Sequence, residues 1–114
     1  MNPNRLVTIK LNKDFRTAYY HGRSQVHPAL VTYVRRNRLG VTRVGITTGK
    51  KLGSAVVRNR CRRVIREAYR SLSPNLKAGY DIVFVARSRT AASKSTTLTG
   101  VMASHLRKAG VLPA

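Results

Sequence analysis

The sequence predicts a single α/β (α+β) two-layer sandwich, and three observations predict it. Val57, Cys61, Val64, Ile65, Ala68 and Leu72 recur three and four residues apart, stacking as one apolar stripe on a helix. Tyr80-Asp81-Ile82-Val83-Phe84-Val85-Ala86-Arg87 is a nearly continuous apolar run, the pattern of a strand buried on both faces. Residues 29–34 and 41–48 are rich in β-branched and aromatic side chains and read as two further strands. A chain of 114 residues suits one domain spanning 1–114, since domains most often run to ~100–150 residues.

In chain order, residues 1–11 are polar and mixed, and Asn12 is placed to cap a helix from about Lys13 to Tyr20. Asp14 favours the positive end of that helix, and Gly22 offers a left-handed stop. Phe15, Ala18 and Tyr19 share one face, whose ordinary role is to pack on a sheet. After a loop around His21–Pro28, strand 29–34 leads through a basic turn, Arg35 to Gly40, into strand 41–48. The two are expected to form a hairpin, with Val44 and Ile46 inward and Arg43 and Thr47 on the other face. The central helix is expected to start at a Ser54 cap and to end before Ser73-Pro74, because proline disfavours helix in the residue before it. A linker to Gly79, strand 80–87 and a Ser/Thr/Ala-rich connection to Thr97 follow. Leu98, Met102, His105, Leu106 and Ala109 then mark a last amphipathic helix stopping at Gly110. Periodicity alone yields three strands, and no internal repeat is visible.

Charge narrows the partners. Lys and Arg total 23 against three acids, a formal net charge of +20, which is best tolerated beside a strong polyanion. No apolar run approaches the ~20 residues of a membrane span, and the basic helix has no exposed Trp, Phe or Leu to insert in a lipid surface. With 42% apolar residues in clear periods, the chain is no disordered basic tail. Met1 to Leu6 lacks the apolar block of roughly 7–15 residues that marks a secretory signal, so a cytoplasmic location is expected.

On the central helix Arg58, Asn59, Arg62, Arg63, Arg66 and Arg70 fall opposite the apolar stripe, with Arg60 nearby. A planar guanidinium fork matches phosphate oxygens in pairs and stays charged at any working pH. A solvated helix face ordinarily mixes signs, whereas Glu67 alone stands against six arginines here.

The same chain is poor in catalytic groups. Asp14, Glu67 and Asp81 lie in three different elements, and His21, His27 and His105 are dispersed, so neither paired carboxylates nor a metal-ligand cluster is predicted. A two-metal nuclease needs several converging acids. Any phosphodiester hydrolysis linked to this chain must therefore be centred on a partner, and no catalytic residue is assigned. Cys61 sits on the apolar stripe as a small hydrophobe. Thr47-Thr48-Gly49-Lys50-Lys51-Leu52-Gly53-Ser54 has hydroxyls, lysines and glycines but not the spacing of a nucleotide phosphate loop.

Lys50-Lys51-Leu52-Gly53-Ser54-Ala55-Val56-Val57, followed by Arg58-Asn59-Arg60-Cys61-Arg62-Arg63-Val64-Ile65-Arg66-Glu67-Ala68, resembles the signature of the bacterial ribonuclease P protein subunit. The resemblance extends over about Leu6 to Lys108. It implies a mixed sheet of about four strands with three helices, in the order α-β-β-(β)-α-β-α, and a left-handed crossover at the central helix, against the usual hand. It implies an accessory subunit of an endoribonuclease that removes the 5′ leader of precursor tRNA. Its partners would be a catalytic RNA subunit and precursor tRNA, with no DNA expected. Mg2+ would be held mainly by the RNA, with no organic cofactor.

By the same resemblance Arg58, Asn59, Arg60, Arg62, Arg63, Arg66 and Arg70 would face the catalytic RNA, while Phe15, Tyr19 and Tyr33 would line a cleft for the leader, with Lys50 and Lys51 beside it. Aromatic platforms suit such a cleft because every base has a π-face. Thr47-Thr48-Gly49 departs from the family's usual Ser-Val-Ser at its second and third positions. Composition alone would equally allow a small ribosomal protein, and only the motif separates the two.

Overall fold

The structure, a computed structural model, describes residues 6–113. Helix α1 (Asn12–His21) is followed by strands β1 (Arg23–His27), β2 (Leu30–Arg36) and β3 (Arg43–Thr47), helix α2 (Ala55–Leu72), strand β4 (Tyr80–Ala86) and helix α3 (Ser95–Lys108). The four strands form one sheet in the order β1-β2-β4-β3, with β3 and β4 parallel and the other pairs antiparallel. This is the predicted α+β architecture of three helices on a four-stranded mixed sheet.

Side chains alternate across the sheet, so each face has its own core. Leu30, Val34, Val44, Ile82, Phe84 and Ala86 pack with the apolar stripes of α2 and α3. On the other face Val83 packs with Ile9 and Ala18, and Phe15, Tyr19, Tyr33 and Val85 surround them. Sheet and α2/α3 make the two main layers, and the short helix α1 adds partial cover behind. Phe84, Leu30, Ile65, Ile82, Leu98, Met102 and Leu106 are fully buried, each contributing about 1.5–3 kcal/mol relative to exposure. β4 occupies an interior position, as its apolar run predicts.

That position overturns the expected hairpin of β2 with β3. β4 lies between them, paired with β2 on one edge and β3 on the other, the interior position that a strand buried on both faces ordinarily takes. The 37–42 connection instead crosses the start of β4: Asn37 N donates to Gly79 O at 2.9 Å, and Thr42 Oγ1 donates to Lys77 O at 2.6 Å. The true hairpin joins β2 to β1, in the stretch the sequence reads as loop. β1 (Arg-Ser-Gln-Val-His) is an edge strand whose one aliphatic residue, Val26, is exposed, so no buried alternation marks it. Its turn is closed by Ala29 N donating to His27 Nδ1 at 3.0 Å.

Element boundaries also shift. Leu11, not Asn12, is the N-cap of α1, and no side chain caps it. Gly22 ends α1 in extended backbone (φ −80) rather than a left-handed one. Its missing Cβ is still needed, since that atom would lie 2.4 Å from Ala18 O. Ser54 caps α2 as predicted, accepting from Val57 N at 3.4 Å. α3 starts at Ser95, three residues before its first stripe leucine. Residues 7–9 run beside β3, with Ile9 N donating to Val44 O and Val44 N to Val7 O, both at 2.9 Å.

Among the described residues the ion pairs involve one cation, Arg43. It grips Asp81 with Nε to Oδ1 at 2.8 Å and Nη2 to Oδ2 at 2.6 Å, and its Nη1 reaches Asp14 Oδ2 at 3.5 Å. Asn37 Nδ2 also donates to Asp81 Oδ1, at 2.8 Å. Burial pushes the Asp81 carboxyl up, but hydrogen bonds from Arg43 and Asn37 outweigh it, and its pKa falls below the usual carboxylate value. A lowered folded pKa gives stability that is present above the unfolded value, ~3.9, and is lost on acidification below it. Asp81→Asn should cost on the order of 3 kcal/mol at pH 7, read by urea unfolding, and should flatten the stability loss below about pH 4. An unchanged acid limb would assign that loss to other carboxylates.

A second buried polar contact joins α3 to β2: His105 Nδ1 lies 2.8 Å from Thr32 Oγ1. Burial lowers the His105 pKa, helped by the nearby His27 and Lys108 charges. The neutral ring is thus the folded form, and stability present above about pH 6.5 should decline as pH falls through the folded pKa. Thermal unfolding at pH 7.5 and 5 should show that decline, and it should shrink in His105→Gln.

Candidate nucleic-acid interface

On α2, Arg58, Arg62, Arg66, Asn59, Arg70 and Arg63 fan over an arc of about 140° at 100° per residue. The fan is graded. Arg58 and Arg62 are half-buried at its border, whereas Asn59, Arg63, Arg66 and Arg70 are exposed. Arg60 lies apart, its Nε donating to Ala91 O at 2.6 Å across to the β4–α3 connection. Asn59 Oδ1 accepts from Arg62 Nη1 at 2.8 Å, so the carboxamide orients a guanidinium. Arg58 Nε is buried with no hydrogen-bond partner among the described residues, a donor whose desolvation they leave uncompensated.

The border of that fan opens into a groove. Arg62, Arg66 and Tyr69 of α2 share one concavity of about 250 Å³ with Phe15, Gly45 and Ile46. Phe15 and Ile46 also line an adjoining, more open one with Asn12, Arg16, Tyr19 and Thr47. Its floor is aromatic. Tyr19 meets Tyr33 edge-on, centroids 5.1 Å apart at 74°, and its hydroxyl is 2.6 Å from Thr47 Oγ1. Phe15 lies over Gly45, where a Cβ would come within 2.5 Å of the ring. Tyr69 packs on Phe84 at 5.7 Å and ties the groove to the core, and burial pushes its hydroxyl pKa up to about 12.

The structure therefore brings together Phe15, Tyr19, Arg62 and Arg66, which the sequence assigns to two separate surfaces, whereas Tyr33 lines neither concavity and reaches the groove only through its edge contact with Tyr19. Lys50 and Lys51 stand on an exposed 3-10 turn (Lys50–Leu52), three and four residues beyond Thr47 and outside both concavities. Among the described residues, no group of three or more His, Cys, Asp or Glu side chains could hold a metal ion, and no helix is long and apolar enough to cross a membrane.

A family model described as Ribonuclease P matches residues 4–110. The chain belongs to the ribonuclease P protein family. A ribonuclease P protein component from Clostridium botulinum (strain Langeland) is 39% identical over 104 residues, covering 90% of this chain and 94% of the relative. One from Clostridioides difficile is 48% identical over 88 residues, 76% of this chain and 77% of that protein. Among solved structures, the Staphylococcus aureus RNase P protein superposes with a TM-score of 0.82 at 31% identity, over 95% of this chain and 99% of that one. The RNase P protein from Thermotoga maritima gives 0.76 at 26% identity, over 88% and 96%.

In this ribonuclease P protein the sequence reading missed Asn12, Arg16, Gly45, Ile46, Thr47 and Tyr69 as groove residues. Some signal existed. Arg43, Gly45 and Thr47 share the strand face opposite Val44 and Ile46, and Tyr69 follows Ile65 by four, at the edge of the apolar stripe. What was lacking was the partner face, which only the placement of α1 supplies. Gly45→Ala should displace the Phe15 ring and destabilise the fold by about 1–3 kcal/mol. Unshifted Phe15 ring resonances in NMR spectra of the variant would contradict the packing of that ring on Gly45.

Proposed function

We propose that this chain is the protein subunit of a ribonuclease P ribonucleoprotein, binding a catalytic RNA and the 5′ leader of precursor tRNA while the RNA performs the cleavage. One observation carries the reading: an aromatic-floored groove runs into the arginine face of α2 through Arg62 and Arg66, in a chain of net charge +20.

Two modes of contact follow. Arg58, Asn59, Arg62, Arg63, Arg66 and Arg70 would meet phosphates of the catalytic RNA, with Asn59 holding the Arg62 fork, and Arg60 would add its remaining donors from the flank. Phe15, Tyr19 and Tyr33 would receive unpaired leader bases by stacking, which tolerates any sequence. Lys50 and Lys51 would attract the strand where it leaves the groove. Mg2+ would be held by the RNA and supply the metal chemistry of hydrolysis. The protein residues bind and orient, because the chain has three acidic side chains and two of them, Asp14 and Asp81, are engaged by Arg43.

Reconstitution tests this. With labelled precursor tRNA at low magnesium, the protein alone should not cut, and should raise cleavage by the catalytic RNA. Cutting by the protein alone would place the catalyst on the polypeptide, and no effect on RNA-dependent cleavage would favour a ribosomal-type RNA-binding protein. In the same assay Tyr19→Ala should weaken leader-bearing substrate by ~1–3 kcal/mol per stacked base and leave mature tRNA binding unchanged. Tyr19→Phe, which keeps the ring and loses the Thr47 contact, should retain most of the affinity. Equal losses for both ligands would assign Tyr19 to packing.

A further inference from the structure

Residues 7–9 run along the outer edge of β3, but the opposite margin of the sheet is open. β1 pairs with β2 from Arg23↔Val34 to His27↔Leu30, and its outer edge makes no backbone hydrogen bond to any described residue. Such an edge presents unpaired N–H and C=O groups to any extended chain. Proline, lysine or a covering loop ordinarily blunts it, whereas Ser24, Gln25 and Val26 in the middle of β1 are uncharged and include no proline.

A row of valines leads to that edge. Val26 pairs with Val31, and Val31 with Val85, across three strands, all on the sheet face that carries α1. α1 covers the neighbouring Val83 but not this end of the row: Val26 is 67% exposed, and neither Val26 nor Val31 belongs to either core. Cations bracket the edge. At its start Arg23 shares a concavity of about 300 Å³ with His21, Arg35 and Arg36 and with no acidic residue. At its end Arg87 Nη1 donates to His27 O at 3.4 Å, which anchors a second exposed guanidinium there.

We propose that the β1 edge is a docking site for an acidic extended peptide, which adds to the sheet as a further strand, sets an aliphatic side chain beside Val26 and places carboxylates near Arg23 and Arg87. Main-chain bonds to the edge supply the affinity, and the side chain beside Val26 supplies the choice of partner. Charge decides the occupant. Antiparallel pairing of two copies of this chain about Gln25 would set Arg23 of one copy opposite His27 of the other and bring together two chains of net charge +20. RNA has no backbone amides to continue the ladder and no aliphatic group to cover Val26.

The probe is a fluorescein-labelled synthetic peptide, Glu-Glu-Thr-Val-Thr-Glu-Glu, titrated into the full chain by anisotropy, with amide hydrogen exchange of the chain followed by NMR. Binding should slow exchange of β1 amides. Val26→Asp, at an exposed position where the fold loses no burial, should weaken the peptide by about tenfold or more, Arg23→Gln should weaken it several-fold, and Val26→Ile should bind as the unsubstituted chain does. Equal binding of the same peptide N-methylated at alternate residues, or of heptaglutamate, would overturn strand addition. So would protection of the β1 amides by a single-stranded RNA heptamer, or protection that rises with protein concentration alone, which would give the edge to a second copy. Val26 lines neither concavity of the groove, so Val26→Asp should leave cleavage of precursor tRNA by the reconstituted holoenzyme unchanged. A loss of cleavage would place Val26 on RNA and refute the peptide site, whereas failure of the peptide to bind refutes that site and leaves the ribonuclease P reading standing.

Discussion

A single charge cluster sets how three elements of the fold meet. Two of the three carboxylates in the chain, Asp14 and Asp81, converge on Arg43. That cluster joins three elements that burial alone would leave loosely related: the first turn of α1, the start of β3 and the start of β4. Through Asn37 it also fixes the β2–β3 turn. Removing one member of such a buried set leaves an uncompensated charge, which is why its loss costs more than its formation gains. The same cluster leaves the arginines of α2 without acidic partners among the described residues.

From that constraint the groove follows. α1 covers the odd-numbered face of the sheet with only ten residues, too few to close it. Phe15 fits because Gly45 presents no side chain beneath it, and Tyr19 is pinned by Thr47 and Tyr33. The uncovered remainder abuts the border of α2, so the half-buried Arg62 and the exposed Arg66 meet half-buried aromatics. The aromatics are held by packing and Arg62 by Asn59 before any ligand arrives, which lowers the ordering cost of binding.

A chain this basic repels itself, and its stability rests on apolar burial. The face that packs α2 and α3 holds nearly all the fully buried large side chains, and the opposite face holds a small cluster around Val83. The division of labour is clear: the larger core carries the fold, and the smaller one positions the surface on which function is read.

The sequence by itself determined the helices, the buried central strand and the arginine face of α2, because each is written in local periodicity or composition. Tyr19 and Phe15 were legible as one face of a helix, and the Lys50 to Ala68 motif carried the family. Only the tertiary structure decided the strand order, with β4 inserted between β2 and β3. It alone revealed β1, whose polar edge residues leave no pattern of burial, and the salt bridge of Arg43 to Asp81, which are 38 positions apart. It also decided that Arg62 and Arg66 open onto the same groove as Phe15. Such pairings depend on which faces meet across the sheet, and a one-dimensional pattern of apolar and charged residues specifies a face without specifying its neighbour.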